Sequence, residues 1–429
     1  MWEEILRFLS LSDANVQFVL LGSLLLGATG GLLGSFALLR KRSLMGDALA
    51  HAALPGVVIA FLITGSKSIV PLLVGASISG IVGVLLVQAI VQFSRIKPDA
   101  ALGLVLTVFF GVGIVLLTHV QRQPIGNQSG LDKFLFGQAA SLVTDDLLVM
   151  GAISLTVLIF VLLFFKEFRL LCFDADYLTS LGFNARRIDL LLMGLLVLAV
   201  MVGLQAVGVV LMAAMLITPA AAARFWTNHL NRMVLAAAIF GGISGVAGTF
   251  FSAMAPRIPT GPVMVLTATL FFIISAIAAP KRGLFAKWQL HRNNKRQVIE
   301  QHVLRACIEL REQRPGPAAV ALDDLARQVH ESPATMRRTI RRLERKRLVQ
   351  MTDGAIALTA SGQQEALHIV KTHRLWEHYL VHRARLRSDH VHRDADEMEH
   401  ILSPSVLDEL EKILKSQGID TEKIVNIHG

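Results

Sequence analysis

Asp47 and His51 stand four residues apart in the segment Ser43–Leu54, S-L-M-G-D-A-L-A-H-A-A-L. On a helix this spacing puts both side chains on one face. A carboxylate and an imidazole so placed can ligate one divalent cation. They can equally share a hydrogen bond that only ties two helices together, and spacing does not separate the two readings. Two more clusters of the same chemical type lie far down the chain. His373 and Glu377 are four apart in K-T-H-R-L-W-E-H-Y-L (Lys371–Leu380). Asp396, Glu399 and His400 fall within about one turn of each other in V-H-R-D-A-D-E-M-E-H-I-L-S (Val391–Ser403). Such sets are metal ligands by type, or else a charged helix face. They hold no thiol and so lean toward Mn2+, although the general affinity order favours Zn2+. Cys172 and Cys307 form no CxxC motif and no disulfide framework, and a cytoplasmic place is expected for both.

The elements around these residues differ sharply between the two parts of the chain. Of the 429 residues 53% are hydrophobic and only 17% charged, with a mean hydropathy of +0.55. Soluble domains carry about 25% charged residues, so a wholly soluble enzyme is not expected and disorder is excluded. The net charge is +10, and residues 292–429 hold 23 Lys+Arg and 20 Asp+Glu, more than half of all charge. Eleven of the 14 histidines lie from His291 onward. An apolar body therefore precedes a charged, His-rich tail. The division expected is 1–285 for a membrane domain, 286–297 for a basic linker, 298–360 for a winged helix-turn-helix and 361–429 for a helical domain.

A bilayer is crossed by about 20 apolar residues. Nine runs qualify: 16–39, 43–64, 69–92, 101–120, 147–165, 189–205, 207–226, 234–255 and 263–279. The stretch 189–226 is split at Leu204–Gly208, the alternative being one broken helix and eight spans in all. Asp47 and His51 then lie inside the second run, where ionisable groups are costly and usually line a pathway. One set of loops carries thirteen basic residues, including Arg40, Lys41, Arg42, Arg186 and Arg187, against five in the other. By the positive-inside rule the first set is cytoplasmic, which places the N-terminus outside and the tail inside. The acidic start, Met1-Trp2-Glu3-Glu4, argues against a cleaved signal peptide. No G-x-x-x-x-G-K-[ST] phosphate loop occurs, and no nucleophile–base constellation, so the chain is not expected to be an enzyme.

Three strings resemble the permease subunits of bacterial manganese/zinc/iron ABC importers. They are L-M-G-D-A-L-A-H-A-A-L-P-G-V (Leu44–Val57), G-V-V-L-M-A-A-M-L-I-T-P-A-A-A-A (Gly208–Ala223) and I-P-T-G-P (Ile258–Pro262). The resemblance runs from about Leu20 to Ala279. It implies two paired permeases in the inner membrane, a separate cytoplasmic ATPase and an extracytoplasmic metal-binding protein. It places the family's pathway Asp and His on Asp47 and His51. It also likens the loop Lys166–Arg187 to the helix that seats in the ATPase, through Asp174, Asp176, Tyr177, Leu181 and Gly182.

The tail reads as helices Val298–Arg311 and Ala321–Val329, then a third helix from Pro333 to about Lys346 with Ser332 as N-cap. A β-hairpin follows over Leu348–Leu358, turning at Asp353-Gly354. The third helix or its end carries Arg337, Arg338, Arg341, Arg342, Arg345, Lys346 and Arg347. Basic residues so grouped favour phosphate contact. With Thr335, the residues Arg337, Arg338, Arg341 and Arg342 are the candidates for touching DNA, and a solvated charged face is the alternative.

The segment from about Val298 to Leu414, with L-T-A-S-G at Leu358–Gly362, resembles the diphtheria-toxin-repressor and manganese-transport-regulator family. That resemblance implies one metal site at His373, Glu377 and His392. It implies another at Asp396, Glu399 and His400, completed from the first helix at His302. A neighbouring position, acidic in manganese sensors, corresponds to Arg305, a departure that speaks against a two-manganese cluster and leaves a single-metal or altered site open. Together the readings imply a mostly α protein: a metal-importer permease for Mn2+, Zn2+ or Fe2+ with a metal-sensing tail. A membrane-tethered DNA-binding regulator and a permease with a structural, dimerising tail are the alternatives.

Overall fold

The structure is a computed structural model that describes residues 8, 10, 13–66, 68–122, 137, 143–254, 258–313, 319–352, 354–382 and 409–413. The chain divides into two compact units, Met1–Lys287 and Trp288–Gly429. Among the described residues, eight helices are long and apolar enough to cross a membrane. They are α1 (Ala14–Leu39), α2 (Met45–Thr64), α3 (Ile69–Phe93), α4 (Pro98–Gln121), α5 (Thr144–Leu163), α8 (Ala185–Val207), α10 (Leu230–Met254) and α11 (Thr260–Ala278). Two short helices, α6 (Phe165–Phe173) and α7 (Ala175–Ser180), lie between α5 and α8.

The ninth expected run is α9 (Val209–Trp226), an 18-residue helix whose apolar part, Leu211–Trp226, is too short to count as a full crossing by length. Among the described residues the long apolar helices are therefore eight, and α9 is a shorter ninth. The break between α8 and α9 falls where the sequence places it. Gly208 has φ +88° and ψ 167°, which ends α8 and opens α9. A side chain is disfavoured at that φ, so glycine makes this corner possible.

Other boundaries follow local chemistry. Pro98 opens α4 at its first turn, where a missing N–H costs nothing. Gly65 closes α2 with φ +62°, its N–H returning to the carbonyl of Phe61. The core of the first unit joins α1, α2, α8 and α9 through Leu33, Phe36, Leu49, Leu192, Met212 and Leu216. Apolar side chains left exposed, such as Ile63, Val115, Leu162 and Leu266, suit a lipid surround.

α2 and α3 meet backbone to backbone. A Cβ built on Gly56 would lie 2.1 Å from the carbonyl oxygen of Gly75, and one on Gly75 would lie 2.4 Å from that of Gly56. Small residues permit this approach in lipid. Gly56→Val is expected to cost more than the roughly 1–3 kcal/mol usual for overpacking, because rigid backbone is what it meets. Thermal unfolding in detergent checks this. Gly103→Val is the control, since nothing lies within 4 Å of its added Cβ.

The second unit starts within α12 (Leu284–Gln313), a 30-residue helix. The expected linker 286–297 is thus helical, and the helix begins fourteen residues before Val298. No glycine or proline occurs between Leu284 and Gln313 to stop it. Next come β1 (Ala319–Ala321), α13 (Leu322–Gln328), α14 (Pro333–Arg345), β2 (Val349–Thr352), β3 (Ala355–Leu358) and α15 (Ala360–His382). Ser332 caps α14 by accepting from the N–H of Thr335 at 3.2 Å. β2 and β3 pair antiparallel with Val349 opposite Leu358 and Thr352 opposite Ala355, turning at Gly354 with φ +78°. β1, which the sequence did not suggest, pairs with β3 and makes the sheet order β1-β3-β2. Val303, Cys307, Leu325, Met336, Leu343, Ile356 and Val370 form this unit's core.

Candidate functional site

α2 begins at Met45, so Asp47 falls in its first turn and His51 in its second. The pair therefore lies near one end of the span, with His51 about 9 Å along the axis from Met45. An acidic side chain is favoured at the positive end of a helix. The expected shared face is real. His51 Nε2 is 3.4 Å from Asp47 Oδ1, with side chains 16% and 36% exposed. The ring of Phe110 on α4 meets the imidazole edge-to-face, with centroids 4.8 Å apart. His51 Nδ1 is buried and has no hydrogen-bond partner among the described residues.

Pro55 sits inside α2 and has no N–H to give to the carbonyl of His51, four residues back. The next carbonyl, that of Ala52, accepts a hydrogen bond from Ser79 Oγ on α3 at 2.6 Å. The helix around His51 thus combines an imidazole nitrogen, a carboxylate and a carbonyl freed of its helical donor. These are nitrogen and oxygen donors of the kind that divalent transition ions accept. Among the described residues no group of three or more His, Cys, Asp or Glu side chains comes together, so this is a two-side-chain site.

A second polar cluster lies at the start of α8 and escaped the sequence reading. Asp189 is buried, its side chain 10% exposed, between two guanidinium groups. Arg42 Nη1 reaches its Oδ2 at 2.9 Å and Oδ1 at 3.2 Å, and Arg40 Nη2 reaches Oδ1 at 3.1 Å. Arg40 Nη1 also donates to the carbonyl of Leu171 on α6 at 2.9 Å. One carboxylate thereby ties the α1–α2 turn to α8, and Arg40 adds α6. The available signal was a lone acid at the mouth of an apolar run whose neighbours are otherwise basic.

α7 is capped by Asp174, whose Oδ1 accepts from the N–H of Tyr177 at 2.8 Å. Leu178 is fully buried, whereas Tyr177, Leu181, Phe173 and Phe183 are exposed. Asp176 lies in the first turn. Gly182, at φ +88°, lets the chain turn away toward α8.

In the tail, His373 on α15 is 2% exposed and Arg305 on α12 is also buried. Arg305 Nη1 lies 2.9 Å from His373 Nδ1, and its Nε lies 3.3 Å from Glu309 Oε1. A guanidinium can only donate, so Nδ1 is the acceptor and the ring proton sits on Nε2. A metal on Nδ1 would have to displace the guanidinium. A metal on Nε2 would move the proton to Nδ1 and set donor against donor. His373 therefore does not fit a divalent metal while Arg305 is in place. His302 lies on α12, one turn before Arg305. The side chain of Glu377 and the residues His392, Asp396, Glu399 and His400 lie outside the described residues. Burial pushes the Cys307 thiol up to about 12, which keeps it an inert packing group.

The basic helix α14 presents Arg337, Arg338, Arg341 and Arg345 to solvent, and Thr335 is half-buried in its first turn. Arg342 and Lys346 instead reach buried Glu300 on α12, at 3.6 and 2.6 Å. Two of the seven basic groups thus serve the tail's own packing.

Residues 12–279 match the ABC 3 transport family, and residues 359–421 match the iron dependent repressor, metal binding and dimerisation domain. The chain is 46% identical over 395 residues to the manganese transport system membrane protein MntC of Bacillus subtilis, spanning 91% of this chain and 90% of that protein. It is 48% identical over 282 residues to the zinc transport system membrane protein TroC of Treponema pallidum, spanning 66% of this chain and 95% of that protein. Among solved structures, PsaBC from Streptococcus pneumoniae in complex with Fab is similar with a TM-score of 0.58 and 32% identity, over 65% of this chain and 97% of that one.

Proposed function

Because the chain belongs to the ABC 3 transport family, we propose that it is the membrane permease of an importer for a divalent transition metal, with Mn2+ the favoured substrate. The observation that carries this reading is the Asp47–His51 pair in an otherwise apolar span, with a buried imidazole nitrogen that has no hydrogen-bond partner among the described residues. Asp47 and His51 act as transient ligands. Their small number suits a pathway, where an ion must leave as readily as it enters.

The fold is that of a multi-pass inner-membrane protein, and family membership brings a separate ATPase and a substrate-binding protein as partners. Asp174, Asp176, Tyr177, Leu181 and Gly182 form the ATPase contact, supported by the exposed apolar side chains around α7. A second permease, either another copy or a paralogue, completes the pathway. The basic loops set the N-terminus outside and the tail in the cytoplasm, which requires nine crossings. α9, whose 18 residues rise about 27 Å, would be the ninth, shorter than the other eight.

The tail is a regulatory domain, and its sensing set is His302, Asp396, Glu399 and His400. A second reading, a structural tail that braces paired permeases, is favoured by Arg305 on His373. DNA contact through Arg337, Arg338 and Arg341 is the third. Uptake by cells expressing the whole importer tests the main proposal, with Mn2+, Zn2+ and Fe2+ offered separately. Mn2+ is expected to accumulate fastest. Uptake of none of the three above that of cells lacking the permease would sink the reading.

A further inference from the structure

We propose that Arg305 is a resident cation of the tail, standing at His373 where a metal would otherwise bind. Three observations carry this. The guanidinium bridges two helices, α12 and α15, as a shared metal would, with Nη1 2.9 Å from His373 Nδ1. Its charge is balanced locally by Glu309, 3.3 Å from Nε. Arg305 and His373 are both buried, so the contact is sheltered from water and salt.

The proton inventory makes the arrangement exclusive. A neutral imidazole has one acceptor nitrogen and one N–H. Arginine stays protonated at any physiological pH, so it always claims the acceptor. A divalent ion at either ring nitrogen requires the Arg305 contact to break, and it must then share a buried site with a fixed positive charge. A lysine could shed its proton and yield, whereas a guanidinium cannot. The helix pair α12–α15 is therefore held closed whatever the cytoplasmic metal level. Any response of the tail to metal has to arise away from His373, and replacing Arg305 by an acid turns a permanent clamp into a metal-dependent one.

The test uses the full chain in detergent with His51→Ala in the background, which removes the proposed pathway ligand from the count. Bound metal per chain is measured by equilibrium dialysis against Mn2+ alone and then Zn2+ alone. His373→Ala is expected to leave bound metal unchanged while Arg305 is present. Arg305→Glu is expected to add one equivalent of Mn2+, and Arg305→Glu with His373→Ala to lose it again. Loss of one equivalent on His373→Ala with Arg305 intact would overturn the proposal, and so would a folded Arg305→Glu chain that gains none. Should Arg305→Glu fail to fold, the His373→Ala comparison still decides. Metal uptake is not the readout, so failure here leaves the transport proposal standing.

Discussion

Asp47→Ala is expected to abolish metal uptake while the importer still assembles. The side chain is more than a third exposed within the span and, among the described residues, its ion-pair partner is His51 at 3.4 Å, so little packing is lost with it. What disappears is the one carboxylate in α2. Loss of groups that merely support a metal ligand costs about 10–100-fold in affinity or activity, so loss of a ligand should cost at least about 100-fold. Asp47→Asn separates the two readings that spacing leaves level. Asparagine keeps the size and can still hydrogen-bond the imidazole, so a pair that only tied helices would survive the change. A pair that draws a dication into an apolar span would not, because the charge that offsets the ion's desolvation is gone. Initial uptake rates for Mn2+ should fall for both variants, with membrane expression unchanged. Normal uptake by Asp47→Asn would remove the pair from the pathway and return it to the role of a helix tie.

The parts legible in the sequence were those whose cause is local. Apolar runs gave the spans because a bilayer core demands them. The corner at Gly208 was visible as a polar and glycine interruption of one long run, and Ser332-Pro333 and Asp353-Gly354 marked the cap and the turn through chemistry within four residues. The Asp47–His51 geometry was legible for the same reason, since both side chains belong to one helix. Interactions between distant segments were not. Asp189 meets Arg40 and Arg42 across 149 and 147 residues, and nothing near it says which loop will fold over it. Arg305 and His373 are 68 residues apart, so the family resemblance could flag Arg305 as an odd neighbour of a metal site without showing that it meets His373. β1 has three residues, too few for periodicity, and exists only because β3 offers it an edge.

Asp189→Ala is expected to be the most damaging change outside the proposed pathway. It would strand the guanidinium groups of Arg40 and Arg42, whose side chains are only 22% and 26% exposed. Removing one partner of a fully buried ion pair costs about 3–5 kcal/mol. Partial exposure lets water reach the stranded groups, so about 2–4 kcal/mol is the reasonable scale here, and it should appear as a lower unfolding temperature in detergent. The effect should not be additive. Arg42→Ala leaves Asp189 with Arg40, and so should cost less than Asp189→Ala. Once Asp189 is gone, Arg42→Ala should add little or even restore stability, because it removes a stranded charge. A transport consequence follows from the positions. Asp189 sits five residues after Asn184, which caps α8, and so just beyond α7, the proposed ATPase contact. Arg40 and Arg42 sit just before α2, the helix of Asp47 and His51. The cluster is therefore a short mechanical link between the two. Severing it should lower uptake more than ATP hydrolysis, measured together on the whole importer. An Asp189→Ala importer with the parent's unfolding temperature and the parent's ratio of metal moved to ATP consumed would show that the link carries neither stability nor coupling.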